Sequence, residues 1–203
     1  MSKIKTNQLA HTSNGAAVYT LPQTDGSAGQ VLQTDGSGNL SWVTRATTAG
    51  ITMVDEWRVN GVFSGTSTDV SSNWERNDTQ FSQIGTGMTE SSGIFTFPST
   101  GIYLVQFTAN AYITGSGDSR YVGCSIYGTS DNANYNRRST SYDSAYDRNA
   151  NIASSSTTQC IFDCTNTSND KVKFKIESEI TATFEVSTDD NRTFATFIRL
   201  GDT

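Results

Sequence analysis

The sequence predicts an all-β protein, and three observations support that prediction. From residue 93 to the C-terminus, apolar and polar residues alternate in several short runs, which is the pattern of half-buried strands. Thr, Ser, Asn and Gly fill much of the chain and charged residues make up only 17% of it, which favours strands and turns over helices. No amphipathic helical pattern of useful length occurs. We therefore expect antiparallel strands, about eight to ten of them, in a sandwich or a jelly roll.

The predicted strands follow one another between polar turns. Tyr103, Val105 and Phe107 share the inward face of the first long strand. A later strand alternates most clearly, with Val172, Phe174 and Ile176 inward and three lysines outward. The remaining inward sets are Val122, Cys124 and Ile126; Cys160, Phe162 and Cys164; and Ala182, Phe184 and Val186.

The last predicted strand, near the C-terminus, has apolar residues on both faces. Phe194, Ile198 and Leu200 lie on one face, and Ala195 and Phe197 lie on the other. One face covers the core of its own chain, so the second face needs another cover. We expect Ala195 and Phe197 to lie in a subunit interface; a loop of the same chain is the alternative.

The N-terminal quarter contains a short internal repeat. Residues 21–44 read LPQTDGSAGQVLQTDGSGNLSWVT, so that an apolar residue, Gln-Thr and an Asp-Gly turn occur twice. One chain has too few apolar residues here to form a core. Three chains around a common axis can bury them, and this predicts a trimeric neck; the alternative is a flexible linker. The predicted contact residues are Leu32, Leu40 and Trp42, together with Leu21 and Val31.

This repeat resembles a segment of bacteriophage tail fibres and related virion proteins, in which it precedes the C-terminal tip. The resemblance implies a virion protein in three parts. Residues 1–20 dock on other virion proteins, residues 21–48 form the neck, and residues 49–203 form a knob. From the repeat we expect a homotrimer that is located on the virion. No secretory signal and no apolar membrane-spanning run are recognised, so we expect this protein to be assembled in the host cytoplasm and not to insert into a membrane.

The knob has a resemblance of its own. Gly93-Ile94-Phe95-Thr96-Phe97-Pro98, followed by Gly101-Ile102-Tyr103 and Phe107, is similar to the globular C1q head of the complement and tumour-necrosis-factor superfamily. The ending TFATFIRLG is similar to the last strand of that family. The resemblance covers residues 50–203 and implies a C1q/TNF-like jelly roll. The sequence departs from the family near residues 115–125 and 128–156.

The sequence contains little that favours catalysis. The only histidine, His11, lies in the N-terminal segment, which excludes a Ser-His-Asp triad within the sandwich. Two carboxylate pairs, Asp189-Asp190 and Asp143/Asp147, lie in polar segments, where solvation is a simpler role than glycoside hydrolysis. We therefore predict that the protein is not an enzyme and has no cofactor.

No metal site is predicted either. The three cysteines, Cys124, Cys160 and Cys164, are expected to be free thiols in the core. Calcium is the one cation for which loop oxygens are present, at Asp118, Asp131 and Asp189 to Asn191. However, the chain has no twelve-residue calcium-binding loop.

Residues 131–151 are the most unusual polar stretch and are predicted to form a loop. Tyrosine and arginine are frequent anchors of binding interfaces, and this stretch combines them with amide and carboxylate groups. We interpret it as the receptor-binding site for a host-surface glycan; a solvated loop whose tyrosines pack on the sandwich is the alternative. The predicted binding residues are Tyr135, Arg137, Arg138, Tyr142, Tyr146 and Arg148.

These features together predict a structural virion appendage, a phage tail or head fibre whose trimeric knob adheres to a host receptor. The alternative is a capsid decoration or fibre with a purely structural role, which the short length of 203 residues favours. The net charge of −6 argues against nucleic acid as the ligand.

Overall fold

The computed structural model describes residues 6–10, 18–44, 50–113, 119–145 and 152–203. Every regular element among these residues is a β-strand. The chain divides into two compact units, an N-terminal unit of residues 1–49 and a C-terminal unit of residues 50–203. The all-β class predicted from the sequence is therefore confirmed.

The N-terminal unit contains two small antiparallel sheets. Their strands are β1 (Gln8–Ala10), β2 (Val18–Thr20), β3 (Gln30–Thr34) and β4 (Leu40–Thr44). Strand β1 pairs with β2, and β3 pairs with β4. A single bridge between Thr20 and Asn39 joins the two sheets, so the predicted docking segment and the predicted neck share one unit.

The two copies of the repeat adopt different structures. The second copy forms the β3–β4 hairpin, and its turn is closed by the Asp35 carboxylate, which accepts hydrogen bonds from the backbone N–H groups of Ser37 and Asn39 at 2.8 and 3.0 Å. The first copy is not a strand. It lies against the Trp42 indole, whose Nε1 donates a hydrogen bond to the Thr24 carbonyl at 2.9 Å. Gly26 is needed there, because a Cβ would lie 2.5 Å from the Trp42 ring.

The C-terminal unit has thirteen strands in its described residues, more than predicted because several are only two or three residues long. They are β5 (Val54–Val59), β6 (Phe63–Gly65), β7 (Thr68–Asp69), β8 (Trp74–Arg76), β9 (Thr89–Ser91), β10 (Ile94–Thr96), β11 (Gly101–Ile113), β12 (Ser119–Thr129), β13 (Asn136–Ala145), β14 (Ile152–Cys164), β15 (Lys171–Ser178), β16 (Ala182–Phe184) and β17 (Phe194–Gly201).

These strands form two antiparallel sheets with a core between them. The six-stranded sheet has the order β13–β12–β15–β10–β9, and β7 also pairs with β15. The seven-stranded sheet has the order β6–β16–β11–β17–β5–β8, and β14 pairs with β11 along its whole length. In both sheets, strands that are not consecutive in the chain lie next to each other, as they do in a jelly-roll sandwich.

Aromatic rings from both sheets fill the centre of the core. Phe95 and Phe174 come from the six-stranded sheet, and Phe107 and Phe197 come from the seven-stranded sheet; all four are fully buried. Neighbouring ring centroids in this group lie 4.7–5.9 Å apart, within the range of favourable aromatic pairs. The inward positions predicted for β11 and β15 are thereby confirmed.

The structure corrects the prediction for the last strand. Ala195 and Phe197 are fully buried in the core of their own chain and are not available to another subunit. The register explains this, because Phe197 lies opposite Val105 and Ala195 lies opposite Phe107, two core residues of β11. The other face of β17, with Phe194, Ile198 and Leu200, is the outer face of the sheet.

The predicted polar loop 131–151 also needs correction, because Asn136–Ala145 form strand β13 at the edge of the six-stranded sheet. Its inward positions are Ser139 and Ser141, whose half-buried side chains lie opposite the buried Ile126 and Cys124. An inner face of serines hides the apolar alternation by which strands are recognised in a sequence.

The three cysteines are free, with Cys124 and Cys164 buried and Cys160 half-buried. Burial raises the pKa of both the Cys124 and the Cys164 thiols to about 11. Both are therefore protonated at neutral pH and act as small apolar core residues.

Candidate functional site

An uninterrupted row of aliphatic side chains crosses the outer face of the seven-stranded sheet. Ile161 of β14, Leu104 of β11, Ile198 of β17 and Val54 of β5 are direct cross-strand partners, and Ile84 bridges to Val54. Ile161 is 60% exposed and the three middle residues are half-buried. We call these five residues the aliphatic row. In one chain it remains in contact with solvent, which is unfavourable for so long an apolar strip.

The N-terminal unit also lacks internal cover for its apolar residues. None of its described residues with a defined side-chain environment is buried. Val31 and Leu32 of β3 are each more than two-fifths exposed, and Leu40 and Trp42 of β4 are half-buried. These hairpins therefore need cover from outside the N-terminal unit to bury their apolar side chains.

The outer face of the six-stranded sheet has a different chemistry. Three cross-strand rows run over β13, β12 and β15, and we call their outward residues, together with Tyr121 and Tyr135, the tyrosine face. The rows are Arg137–Tyr127–Lys173, Thr140–Ser125–Lys175 and Tyr142–Gly123–Glu177. The residues between these rows on β12 and β15 are buried in the core. Because successive side chains of a strand point to opposite faces of the sheet, the residues of the rows point outward.

Two tyrosines form one end of the tyrosine face. The Tyr142 ring packs edge-on against Tyr121 with centroids 5.4 Å apart, and Tyr142 is 48% exposed. Gly123 makes room for it, because a Cβ there would lie 2.6 Å from Cδ1 of the Tyr142 ring. Arg137 donates a hydrogen bond from Nη1 to the Tyr142 hydroxyl at 3.2 Å. The ring is thus held in place without being covered.

Cationic groups lie over tyrosine rings at the other end of the tyrosine face. Lys173 Nζ lies 4.8 Å from the centre of the Tyr135 ring, and Lys175 Nζ lies 5.9 Å from that of Tyr127. Lys173 also pairs with Asp69 at 2.7 Å. Burial raises the pKa of Tyr135, and no described residue forms a hydrogen bond with its hydroxyl.

A hydrogen-bonded floor lies between these two ends. Glu177 is largely buried and accepts hydrogen bonds from the hydroxyls of Ser125 and Ser67 at 3.0 and 2.8 Å. Ser125 Oγ also lies 2.9 Å from Thr140 Oγ1. The floor orders the middle of the tyrosine face, which therefore presents fixed aromatic rings and cations over a polar base.

The structure brings together only some of the predicted receptor-binding residues. Arg137 and Tyr142 belong to the tyrosine face, and Tyr135 lies at its end against Lys173. Arg138 occupies a β-bulge, and its guanidinium carbon lies 5.4 Å from the centre of the Phe162 ring, away from this face. Tyr146 and Arg148 lie outside the described residues.

Sequence reasoning missed four of the aromatic and cationic members of the tyrosine face. Tyr121 and Tyr127 of β12 and Lys173 and Lys175 of β15 are distant in sequence from residues 131–151. Their outward positions on predicted strands were visible in the sequence. Their proximity to β13 was not, because it depends on the order of the strands in the sheet.

The predicted interface residues divide in the same way. Leu32, Leu40 and Trp42 lie on the β3–β4 hairpin as exposed or half-buried residues, and their packing against other chains stays a prediction. Ala195 and Phe197 are instead buried in the core of their own chain, and the aliphatic row is the apolar surface that the C-terminal unit exposes.

Two of the candidate calcium ligands, Asp131 and Asp190, make other contacts, and a third lies outside the described residues. The Asp131 carboxylate accepts hydrogen bonds from Thr129, Ala133 and Asn134, which hold its pKa far below the usual value. Asp190 pairs with Arg192. Asp118 lies outside the described residues, and so does Asp147 of the predicted carboxylate pair Asp143/Asp147. In the part of the chain that the structure describes, no group of three or more His, Cys, Asp and Glu residues is placed to hold a metal. Nor does any helix there have the length and apolar character that crossing a membrane requires.

Comparison with solved structures identifies the fold of the C-terminal unit. The chain is similar to murine APRIL at a TM-score of 0.51 and 18% identity, covering 73% of this chain and 98% of APRIL. It is similar to Eiger TNF from S. frugiperda at a TM-score of 0.57 and 13% identity, covering 76% of this chain and 96% of that structure. The fold is thus a TNF-like jelly roll, as expected. No protein-family model and no curated protein matches the chain.

Proposed function

We propose that the protein is a homotrimeric bacteriophage virion appendage, a tail or head fibre, whose C-terminal knob binds a glycan on the host surface. The observation that carries the proposal is the placement of two unlike surfaces on opposite sides of one sandwich. The aliphatic row lies on the outer face of the seven-stranded sheet, and the tyrosine face lies on the outer face of the six-stranded sheet. Association through the first leaves the second accessible.

Other copies of the same chain are the natural cover for both apolar surfaces. The aliphatic row extends across four strands of the C-terminal unit, and the N-terminal unit contains separate exposed apolar residues such as Leu32. A symmetric trimer buries the same patches in every chain and leaves no open end for further growth. The phage-like repeat and the TNF-like fold both agree with three-fold assembly.

Within this proposal, the N-terminal segment attaches the trimer to the virion. Residues 6–10 and 18–20 supply the strand pair β1–β2, whose Leu9 and Tyr19 are exposed. An exposed two-stranded sheet offers these apolar side chains to a neighbouring virion protein. The proposed location is the virion, after assembly in the host cytoplasm.

The tyrosine face is the proposed receptor site. Tyrosine rings present apolar faces on which the C–H groups of a sugar can pack, while hydroxyl, carboxylate and guanidinium groups bind its hydroxyls. The Tyr142 ring packs against Tyr121 and over Gly123, and its hydroxyl accepts a hydrogen bond from Arg137. Because these rings are ordered before binding, little conformational entropy is lost on contact with a ligand. Three such faces on one trimer convert weak single contacts into firm attachment.

Particles that contain Tyr121→Ala and Tyr142→Ala test the receptor role. We expect them to assemble normally, because both rings lie outside the core, and to adsorb to host cells at least about tenfold more slowly, because aromatic anchors dominate binding energy. Tyr112→Ala, which removes a half-buried tyrosine elsewhere in the unit, is the matched control. Unchanged adsorption of the double variant would instead support a purely structural fibre or capsid decoration.

A further inference from the structure

We infer that the glycan bound by the tyrosine face is anionic, carrying phosphate, carboxylate or sulfate groups along its chain. This inference rests on the proposed receptor function of that face and adds the chemical class of the ligand. Arg137, Lys173 and Lys175 project from the tyrosine face. The only carboxylates in its three rows and on the adjacent strand β7 are Glu177 and Asp69. The whole chain, by contrast, has a net charge of −6.

The two carboxylates do not neutralise all of these cations. Asp69 Oδ2 is bound by Lys173 at 2.7 Å, although the Asp69 backbone lies opposite Lys175 in the sheet. Glu177 is largely buried and uses both oxygens to accept hydroxyl hydrogen bonds. Among the described residues, Arg137 and Lys175 form no ion pair with any carboxylate.

The two unpaired cations are nevertheless held in place. Arg137 is oriented by its hydrogen bond to the Tyr142 hydroxyl, and Lys175 extends toward the ring of Tyr127. They lie in adjacent rows, on strands separated by β12. Rows of one sheet face are about 7 Å apart and neighbouring strands are about 4.8 Å apart, so one extended polymer can contact both. Guanidinium and ammonium groups bind such anionic oxygens through charge-assisted hydrogen bonds.

The rings between these cations favour a sugar polymer over other polyanions. Tyr127 lies between Arg137 and Lys173 in one row, and Tyr142 lies on β13 in the row with Gly123 and Glu177. A charged saccharide can place its anionic groups on the cations and its ring C–H groups on the tyrosines. Duplex DNA presents phosphates without an accessible apolar ring face.

Binding of the full chain to immobilised dextran sulfate, unmodified dextran and duplex DNA tests this inference. We expect binding to dextran sulfate that weakens as salt is raised, and little binding to dextran or DNA. Arg137→Gln combined with Lys175→Gln should lower the affinity for dextran sulfate about five- to tenfold. The matched control, Arg192→Gln, removes one exposed cation outside the tyrosine face and should leave the affinity unchanged.

Three outcomes would overturn the inference: equal binding to unmodified dextran, preference for DNA, or an Arg137→Gln/Lys175→Gln variant with unchanged affinity for dextran sulfate. The receptor function is assessed separately by adsorption of the tyrosine variants to host cells. If those variants lose adsorption while the cation variant adsorbs normally, the receptor site stands and its ligand is a neutral glycan. If neither set of variants changes adsorption, the receptor function itself is wrong.

Discussion

Replacement of Phe197 with aspartate is expected to prevent the C-terminal unit from folding. Phe197 is fully buried, with ring centroids 5.2 Å from Phe95 and 5.9 Å from Phe174. Loss of the ring alone costs about 3–5 kcal/mol, and an unpaired carboxylate in the same dry space adds several more, which is of the order of the whole stability of a domain. Circular dichroism and thermal unfolding of the purified chain measure the effect.

The control for this variant is Phe194→Asp, on the same strand but on the outer face of the sheet. Phe194 is half-buried and lies opposite Arg58, so its replacement should leave a folded unit. A Phe197→Asp protein that unfolds cooperatively at the wild-type temperature would show that this side chain does not belong to the core.

Replacement of Asp55 with alanine is expected to have the second largest effect on stability. Asp55 is fully buried at the edge of the core and accepts four hydrogen bonds. Its donors are Arg76 Nε and Nη2 at 2.9 and 3.2 Å, Trp57 Nε1 at 2.8 Å and the Met88 backbone N–H at 2.7 Å. Alanine leaves these donors without an acceptor and a guanidinium without its counter-charge, at a cost of about 3–5 kcal/mol.

Chemical denaturation gives the unfolding midpoint of Asp55→Ala and of a control variant, Asp190→Ala. Asp190 is exposed and pairs with Arg192 on the surface, so its loss should leave the unfolding midpoint unchanged. Equal midpoints for Asp55→Ala and the wild-type chain would contradict a structural role for the buried carboxylate.

The sequence predicted the sandwich well where inward residues are apolar. Val172, Phe174 and Ile176 alternate with lysines, and the structure places them in the core. The same reasoning failed at β13, where serines occupy the inward positions and no apolar signal remains. It also chose the wrong face of β17, because both faces are apolar and only the pairing of Phe197 with Val105 decides which one enters the core.

The tyrosine face could be predicted only in part, for a similar reason. Tyr135, Arg137 and Tyr142 are close in sequence and were recognised as a group. Tyr127 and Lys175 join them because β12 lies between β13 and β15, which is a property of the sheet order and not of any local pattern. The aliphatic row was missed on the same ground, since its members come from four separate strands and one bridge.

The mass of the full chain in solution tests the proposed assembly most directly. Sedimentation should give about 66 kDa, three times the 21.9 kDa of one chain. Leu32→Asp combined with Ile161→Asp places charges in both apolar surfaces without touching the core, and should give folded protein of 21.9 kDa. Thr181→Asp, in an exposed turn outside both surfaces, should remain a trimer. A wild-type chain that sediments at 21.9 kDa, or a double variant that remains trimeric, would contradict assembly through the aliphatic row and the N-terminal hairpin.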